Sequence, residues 1–384
     1  MNRELKSTMT RIEHPIDSFP LSIASGQAFC NRLAETEKLK MLIEHQRPVL
    51  LVSPRRYGKT SLVLHAISQA KLPYAQIDFF SAVDEQDIEK AILKGVGKLI
   101  SRMENIPKRA LALAAEIFEG ASIRAGLNDV ELSIEVSKRK EKPAYHVMDI
   151  LERLERLAKK SDKKIILFFD EFQCISEITP NRAMEAVLRQ VAQLTQSISF
   201  VFSGSNRRLL HELFDDRNRP FYKLCEKITL DRISEDHYVR HIQKAAMKTW
   251  DAELSKRALD SIFAYSERHP YYVNLLCARL LLERKLPDFE AIEKIWHQYA
   301  MEERSSVAAE MELLSKNQRK LLTILARNDG ANTLLGNEFI QQANMSKATI
   351  SQSLTFLEKK DYVYRDTQDR VHVLDPLIKT VLSW

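Results

Sequence analysis

The chain has 384 residues, 45% of them apolar, and a formal net charge of +6. That length supports two or three packed units, the charge is too small to demand a nucleic-acid partner, and no apolar run of 18 residues predicts a membrane span. The four cysteines (Cys30, Cys174, Cys225, Cys277) form no CxxC pair, and the opening Met1-Asn2-Arg3-Glu4-Leu5-Lys6 lacks a leader's apolar core, which together predict a reducing, cytoplasmic setting without disulfides or structural zinc.

In chain order, residues 1–28 form a weakly patterned lead-in. A helix is predicted over 32–45, with Leu33, Leu39 and Leu42 on its apolar side. Residues 48–52 form a short apolar run that reads as a buried parallel strand. A helix over 58–70, a strand over 74–80 and a helix over 84–103 follow. Within 104–145, alternation around Asn128-Asp129 predicts a hairpin over 123–137, and the basic run 138–142 reads as a solvated loop. Then come a helix (143–160), a third strand (165–169), a helix (182–195), a fourth strand (198–202) and a fifth near 228–230. Strands alternating with helices predict an α/β parallel, doubly wound sheet. After about residue 234 the pattern turns helical. Residues 312–384 read as three helices and two short strands, 362–364 and 371–373. The tryptophans Trp250, Trp296 and Trp384 read as core anchors.

Between the first strand and the next helix lies Ser53-Pro54-Arg55-Arg56-Tyr57-Gly58-Lys59-Thr60-Ser61. Backbone N–H groups at a helix start cradle phosphate oxygens. Gly58 allows close approach, Lys59 reaches the β and γ phosphates, and the Thr60 hydroxyl joins a Mg²⁺ shell. Ser53 stands where such loops usually begin with Gly, so a chance GKT in a basic surface loop is the competing reading. The strand–loop–helix setting argues against it.

The third strand ends in Phe168-Phe169-Asp170-Glu171. Ligands of open α/β sheets sit at that strand end. Asp170 is suited to hold Mg²⁺, and Glu171 to orient or deprotonate a water. The alternative is that both simply cap the turn.

These stretches, with Phe29-Cys30-Asn31-Arg32-Leu33-Ala34-Glu35, Phe202-Ser203-Gly204-Ser205 and His269-Pro270-Tyr271-Tyr272, resemble an AAA+ ATPase, specifically the archaeal-type family related to STAND ATPases. The resemblance implies a P-loop AAA+ core over 29–233 with 104–145 inserted, a helical lid over 234–305 and a winged helix-turn-helix over 306–384. It implies that Asn31 and Arg32 line the adenine side, that Ser203 (with Ser205 beside it) is the polar sensor between the acidic pair and the γ phosphate, and that His269 and Pro270 belong to the lid motif. Relatives have a Gly-rich entry to that motif, where this chain has Glu267-Arg268. Relatives also carry an arginine finger after a Pro-Leu-Tyr-like stretch. Here Pro220-Phe221-Tyr222 leads to Lys223, with Arg207, Arg208, Arg217 and Arg219 nearby, each of which reads first as a solvated surface charge.

In the last unit, Ser346 is a suitable N-cap for a helix whose Ile350, Leu354 and Leu357 form a packing stripe. Lys347, Thr349, Ser351, Gln352 and Ser353 are expected to face outward, toward phosphates or base edges. Residues 312–384 carry 10 Lys or Arg against 8 Asp or Glu, less basic than a dedicated DNA reader. Duplex DNA and a protein partner therefore stay open together for this unit. Three functions compete: a Mg-dependent ATPase whose nucleotide state repositions the winged helix, a nucleotide-gated DNA-binding regulator with little turnover, and an ATP-driven oligomerising scaffold.

Overall fold

The computed structural model describes residues 14–103, 142–179, 181–366 and 368–384. The expected hairpin at 123–137, residues 138–141 of the basic run, and Thr367 in the expected wing turn lie outside the described residues. The chain divides into two compact units, residues 32–231 and residues 232–384 joined by the N-terminal stretch up to Asn31.

Along 32–231 the elements are α1 (Leu33–Glu44), β1 (Val49–Val52), α2 (Lys59–Ala70), β2 (Tyr74–Asp78), α3 (Glu85–Arg102), α4 (Pro143–Lys160), β3 (Ile165–Asp170), α5 (Ile175–Ile178), α6 (Ala183–Leu194), β4 (Ile198–Gly204), α7 (Arg207–Asp215) and β5 (Glu226–Thr229). The strands form one parallel sheet in the order β2-β3-β4-β1-β5. Every residue of β1, β3 and β4 is buried, as expected for parallel strands covered on both faces. Their apolar runs supply that burial directly. The chain leaves β1 for the far edge at β2, returns through β3 and β4, and then crosses β1 to β5. The crevice at the carboxyl end of β1 is therefore a topological switch point, where ligands of such sheets bind. Two strands run further than their apolar residues predict. β3 includes Asp170, and β4 includes Ser203 and Gly204, so polar side chains are delivered by rigid strand ends.

Beneath those ends lies a cluster of phenylalanines. Phe169 stacks on Phe202 at 5.5 Å, Phe172 lies 4.6 Å from Phe202 between centroids, and Phe214 and Phe221 meet at 5.1 Å. Aromatic pairs at such spacings add to what area burial alone contributes.

The other unit carries α8 (Glu235–Trp250), α9 (Lys256–Ser266), α10 (Pro270–Leu280), α11 (Phe289–Glu302), α12 (Arg304–Glu312), α13 (Lys316–Arg327), α14 (Asn337–Ala343), α15 (Lys347–Lys359), the antiparallel pair β6 (Val363–Arg365) and β7 (Val371–Val373), and α16 (Pro376–Ser383). One apolar core runs through all of it, from Phe19 to Ile378. Polar links join its helical and winged parts. Trp296 Nε1 donates to Thr380 Oγ1 at 3.0 Å, and Tyr272 OH donates to Asp375 at 2.8 Å.

Several expectations are corrected. Leu33 is 70% exposed whereas Leu39 and Leu42 are buried. Six residues before Leu39 is about 120° around a 3.6-residue helix, off the buried face. Ser353 is buried, because it is three residues after Ile350 and four before Leu357 and so lies in the packing stripe. Trp296 is a core anchor, but Trp384 is 45% exposed. The helix α16 follows the wing, beyond the three helices and two strands expected for this unit. Its signal was present in Asp375-Pro376, an N-cap followed by proline at the first helical position, and Asp375 does cap Leu377 N at 2.8 Å.

Candidate functional site

The phosphate loop begins where β1 ends. Gly58 caps α2 with φ +85° and ψ +24°, and no side chain caps that helix start. A Cβ at Gly58 meets nothing within 4 Å, so glycine is required there by backbone torsion rather than by crowding. Arg56 is also left-handed, with φ +61°. The backbone thus winds into a concave turn ahead of a twelve-residue helix, whose dipole favours an anion at this end. The Lys59 side chain is buried and folds back over the loop, its Nζ donating to Ser53 O at 3.1 Å and Pro54 O at 3.0 Å.

Asp170, at the end of β3, is reached from three directions. Thr60 Oγ1 donates to its Oδ2 at 2.9 Å, Ser203 Oγ donates to its Oδ1, and Glu171 N donates to Oδ1 at 3.2 Å. The structure therefore brings Thr60 of the loop, Asp170 of the acidic pair and Ser203 of β4 together at one carboxylate. Glu171 leaves the strand line through a left-handed turn at φ +49°. Its Oε2 accepts from Ser205 N at 3.2 Å, Ser205 Oγ at 2.8 Å and Gln173 Nε2 at 2.5 Å. Arg55 Nε donates to Ser205 Oγ at 3.4 Å, joining the phosphate loop to the same group. The two serines thus divide the acidic pair between them: Ser203 serves Asp170 and Ser205 serves Glu171.

Two residues not singled out from the sequence enter the site. Gln173 is one. Asp78 is the other: it ends β2 in register with Asp170. Burial pushes the Asp78 carboxyl above its ordinary value, the Phe80 N–H opposes this, and the charges of Asp170 and Glu171 add to it. Burial, followed by the charges of Glu171, Glu177 and Asp78, pushes the nearby Cys174 thiol up to about 11. A shared strand-end position was the available signal for Asp78. Nothing in the local pattern marked Gln173.

The oxygens of Thr60 and Asp170, hard ligands side by side, fit Mg²⁺, which takes one or two protein oxygens and completes its shell with phosphates and waters. Among the described residues no cluster of three or more His, Cys, Asp or Glu forms a closed metal cage.

Arg32 reaches the phosphate loop, its guanidinium donating to Tyr57 O at 3.5 Å. It is buried, in a left-handed conformation, and its guanidinium donates to Asp231 O at 2.6 Å and pairs with Glu35 at 3.1 Å. Those bonds fasten α1 to the end of the β5 loop. Asn31, His269 and Pro270 belong to the other unit. There His269 is buried at the start of α10, Pro270 takes the first helical position, and His269 lies 5.1 Å from Tyr272 between ring centroids. Glu267 and Arg268, in place of a Gly-rich entry, are both left-handed at φ +47° and +58°. Among the candidate fingers, Arg219 is held against buried Glu185 at 3.4 Å and Arg208 against Glu212 at 2.6 Å. Arg217 is exposed.

A five-stranded parallel sheet with a phosphate loop after β1 and an acidic pair at the end of β3 defines a P-loop ATPase core, here with a C-terminal winged helix. The chain belongs to the family described as an ATPase domain predominantly from Archaea, whose model matches residues 29–276, and a probable winged helix domain matches 297–384. No curated protein matches it. Among solved structures it is similar to a Walker-type ATPase of Pyrococcus abyssi (18% identity, 96% of this chain and 100% of that one, TM-score 0.68). It is also similar to the ORC2 protein of Aeropyrum pernix in ADPNP–ADP complexes (15% identity, 97% of this chain and 96% of that one, TM-score 0.59). At these identities the likeness is one of fold. Among the described residues no helix is long and apolar enough to cross a membrane.

Proposed function

We propose that the chain is a Mg-dependent ATPase, with Lys59, Glu171 and Ser203 in the reaction and Thr60 and Asp170 at the metal. The observation that carries this reading is the meeting of Thr60, Ser203 and Asp170 at one carboxylate. The nucleotide phosphates lie on residues 53–61, and the Lys59 ammonium exchanges its loop carbonyls for β and γ oxygens. Mg²⁺ held at Thr60 and Asp170 would supply polarisation of the phosphoryl oxygens. Glu171 orients the attacking water and takes its proton, and Ser203 fixes the orientation of Asp170. Asn31, with Arg32 held as described, borders the base, and His269-Pro270 opens the lid helix. We take 234–305 as that lid and the winged helix as its continuation, so that nucleotide state acts on both together. Phosphate release from Mg-ATP by the whole chain tests the proposal. Turnover should be present in the native protein and absent in Lys59→Ala, and a chain that fails to bind Mg-ATP would rule it out.

A second reading is supported by the face of α15. Lys347, Ser351, Gln352, Thr355 and Lys359 are exposed there, a row suited to phosphates and base edges. An ATP-gated contact with duplex DNA is the proposal that this exposed face supports. In the wing, Arg365 is paired with Glu358 at 2.8 Å and Asp369 at 2.9 Å, which weakens its contribution. Duplex binding that weakens with salt and depends on Lys347 would support this reading, and no binding at low salt with ATP present would remove it.

A further inference from the structure

The donors around Glu171 all converge on one of its two oxygens. Ser205 N, Ser205 Oγ and Gln173 Nε2 reach Oε2 at 3.2, 2.8 and 2.5 Å. Among the described residues none reaches Oε1. Ser205 Oγ accepts from Arg55 Nε, so its own hydrogen is directed at the carboxylate rather than elsewhere.

Gln173 is the unusual member. It sits in the short turn Phe172–Cys174, among phenylalanines, and is only 7% exposed. Its Oε1 is buried with no hydrogen-bond partner among the described residues. A methionine of similar length would fill the space without an orphaned carbonyl. What it would not supply is the Nε2 donor. Space for the amide is made by Gly204: a Cβ there would lie 1.8 Å from Gln173 Oε1. Glycine at the end of β4 and glutamine after the acidic pair are thus one arrangement, whose product is a bond to Glu171.

We propose that Gln173 is a positioning residue for Glu171, assisted by Ser205, and that this donor set selects Oε1 as the oxygen that takes the proton from water. The proposal rests on the ATPase reading above. It specifies which oxygen is the base and what holds it.

The test compares Gln173→Met, Ser205→Ala and Ser205→Thr in the full chain, with native protein and Glu171→Gln as references. Four quantities are measured: kcat, KM for Mg-ATP, equilibrium binding of a fluorescent ATP analogue, and thermal midpoint. Removing the amide should lower kcat by about tenfold or more, a fraction of what a general base contributes, while nucleotide affinity and thermal midpoint stay near native. Ser205→Ala should fall in the same direction, and Ser205→Thr, which keeps the hydroxyl, should recover most of the rate. Native kcat in Gln173→Met, or a loss of rate matched by loss of binding or thermal midpoint, overturns the positioning role while leaving the ATPase reading intact. Native turnover no greater than that of Glu171→Gln overturns both.

Discussion

Thr60 Oγ1 donates to Asp170 Oδ2 at 2.9 Å, joining the first turn after β1 to the end of β3, with β4 between the two strands. A hydroxyl and a carboxylate in that relation form a half-built oxygen shell. Asp170→Asn keeps the shape and removes the charge. It should weaken Mg-ATP binding by at least about tenfold, the scale on which lost metal support acts, and change binding of metal-free ATP far less. Titration calorimetry with Mg-ATP and with ATP plus chelator checks this.

Gly204→Ala places a methyl group 1.8 Å from Gln173 Oε1 and 3.4 Å from Leu210. Strand and core both resist the shift, so overpacking should cost about 1–3 kcal/mol in chemical denaturation. Turnover should fall as well, since the amide can yield only by leaving Glu171.

Glu185 lies fully buried on α6, facing Arg219. Burial raises its carboxyl above the ordinary 4.5, and Arg219 and Arg182 only partly oppose this. The folded state therefore holds this proton more tightly than the unfolded chain, and stability falls as pH rises from 4.5 through the raised value. Glu185→Gln should flatten that part of the pH–stability curve. Arg219→Ala should instead destabilise by about 3 kcal/mol at neutral pH, the lower end for breaking a buried pair, because Arg182 alone then opposes the burial of that charge. The same pairing makes Arg219 a poor choice for a finger acting on another subunit.

Glu267 takes Arg232 Nη1 at 2.8 Å on Oε2 and Lys379 Nζ on Oε1, and Lys379 also donates to Asp329. The turn before α10 and the last helix are thus tied through one carboxylate. Burial opposes the charge on Lys379, but Glu267 and Asp329 outweigh it and hold the ammonium above its ordinary 10.5. A raised lysine stabilises fully below 10.5 and loses that contribution as pH climbs through the folded value. Lys379→Met should therefore remove an alkaline limb of the stability curve and loosen α16, readable as faster amide exchange over Pro376–Ser383.

Much of the core was legible because parallel strands advertise themselves: Val49–Val52 and Ile165–Asp170 are short apolar runs ending in polar turns. Lys59, Thr60, Asp170 and Glu171 could be assigned roles because each lies at a strand or helix end where chemistry and position coincide. Gln173 could not, since its significance depends on Gly204, distant in sequence and adjacent in space. The bonds of Arg32 to Asp231 and Glu35 have no local signature, since they arise only when β5 closes beside β1. For Ser353 and Leu33 the angle on the helix, rather than polarity or hydropathy, decides burial.

The most direct measurement is Mg-ATP turnover by Glu171→Gln alongside its nucleotide affinity. The variant keeps size and hydrogen-bonding shape but cannot accept water's proton. It should bind Mg-ATP as the native chain does while releasing phosphate at least about a hundredfold more slowly, the lower end of a general base's contribution. Turnover at the native rate, with binding intact, would contradict the account.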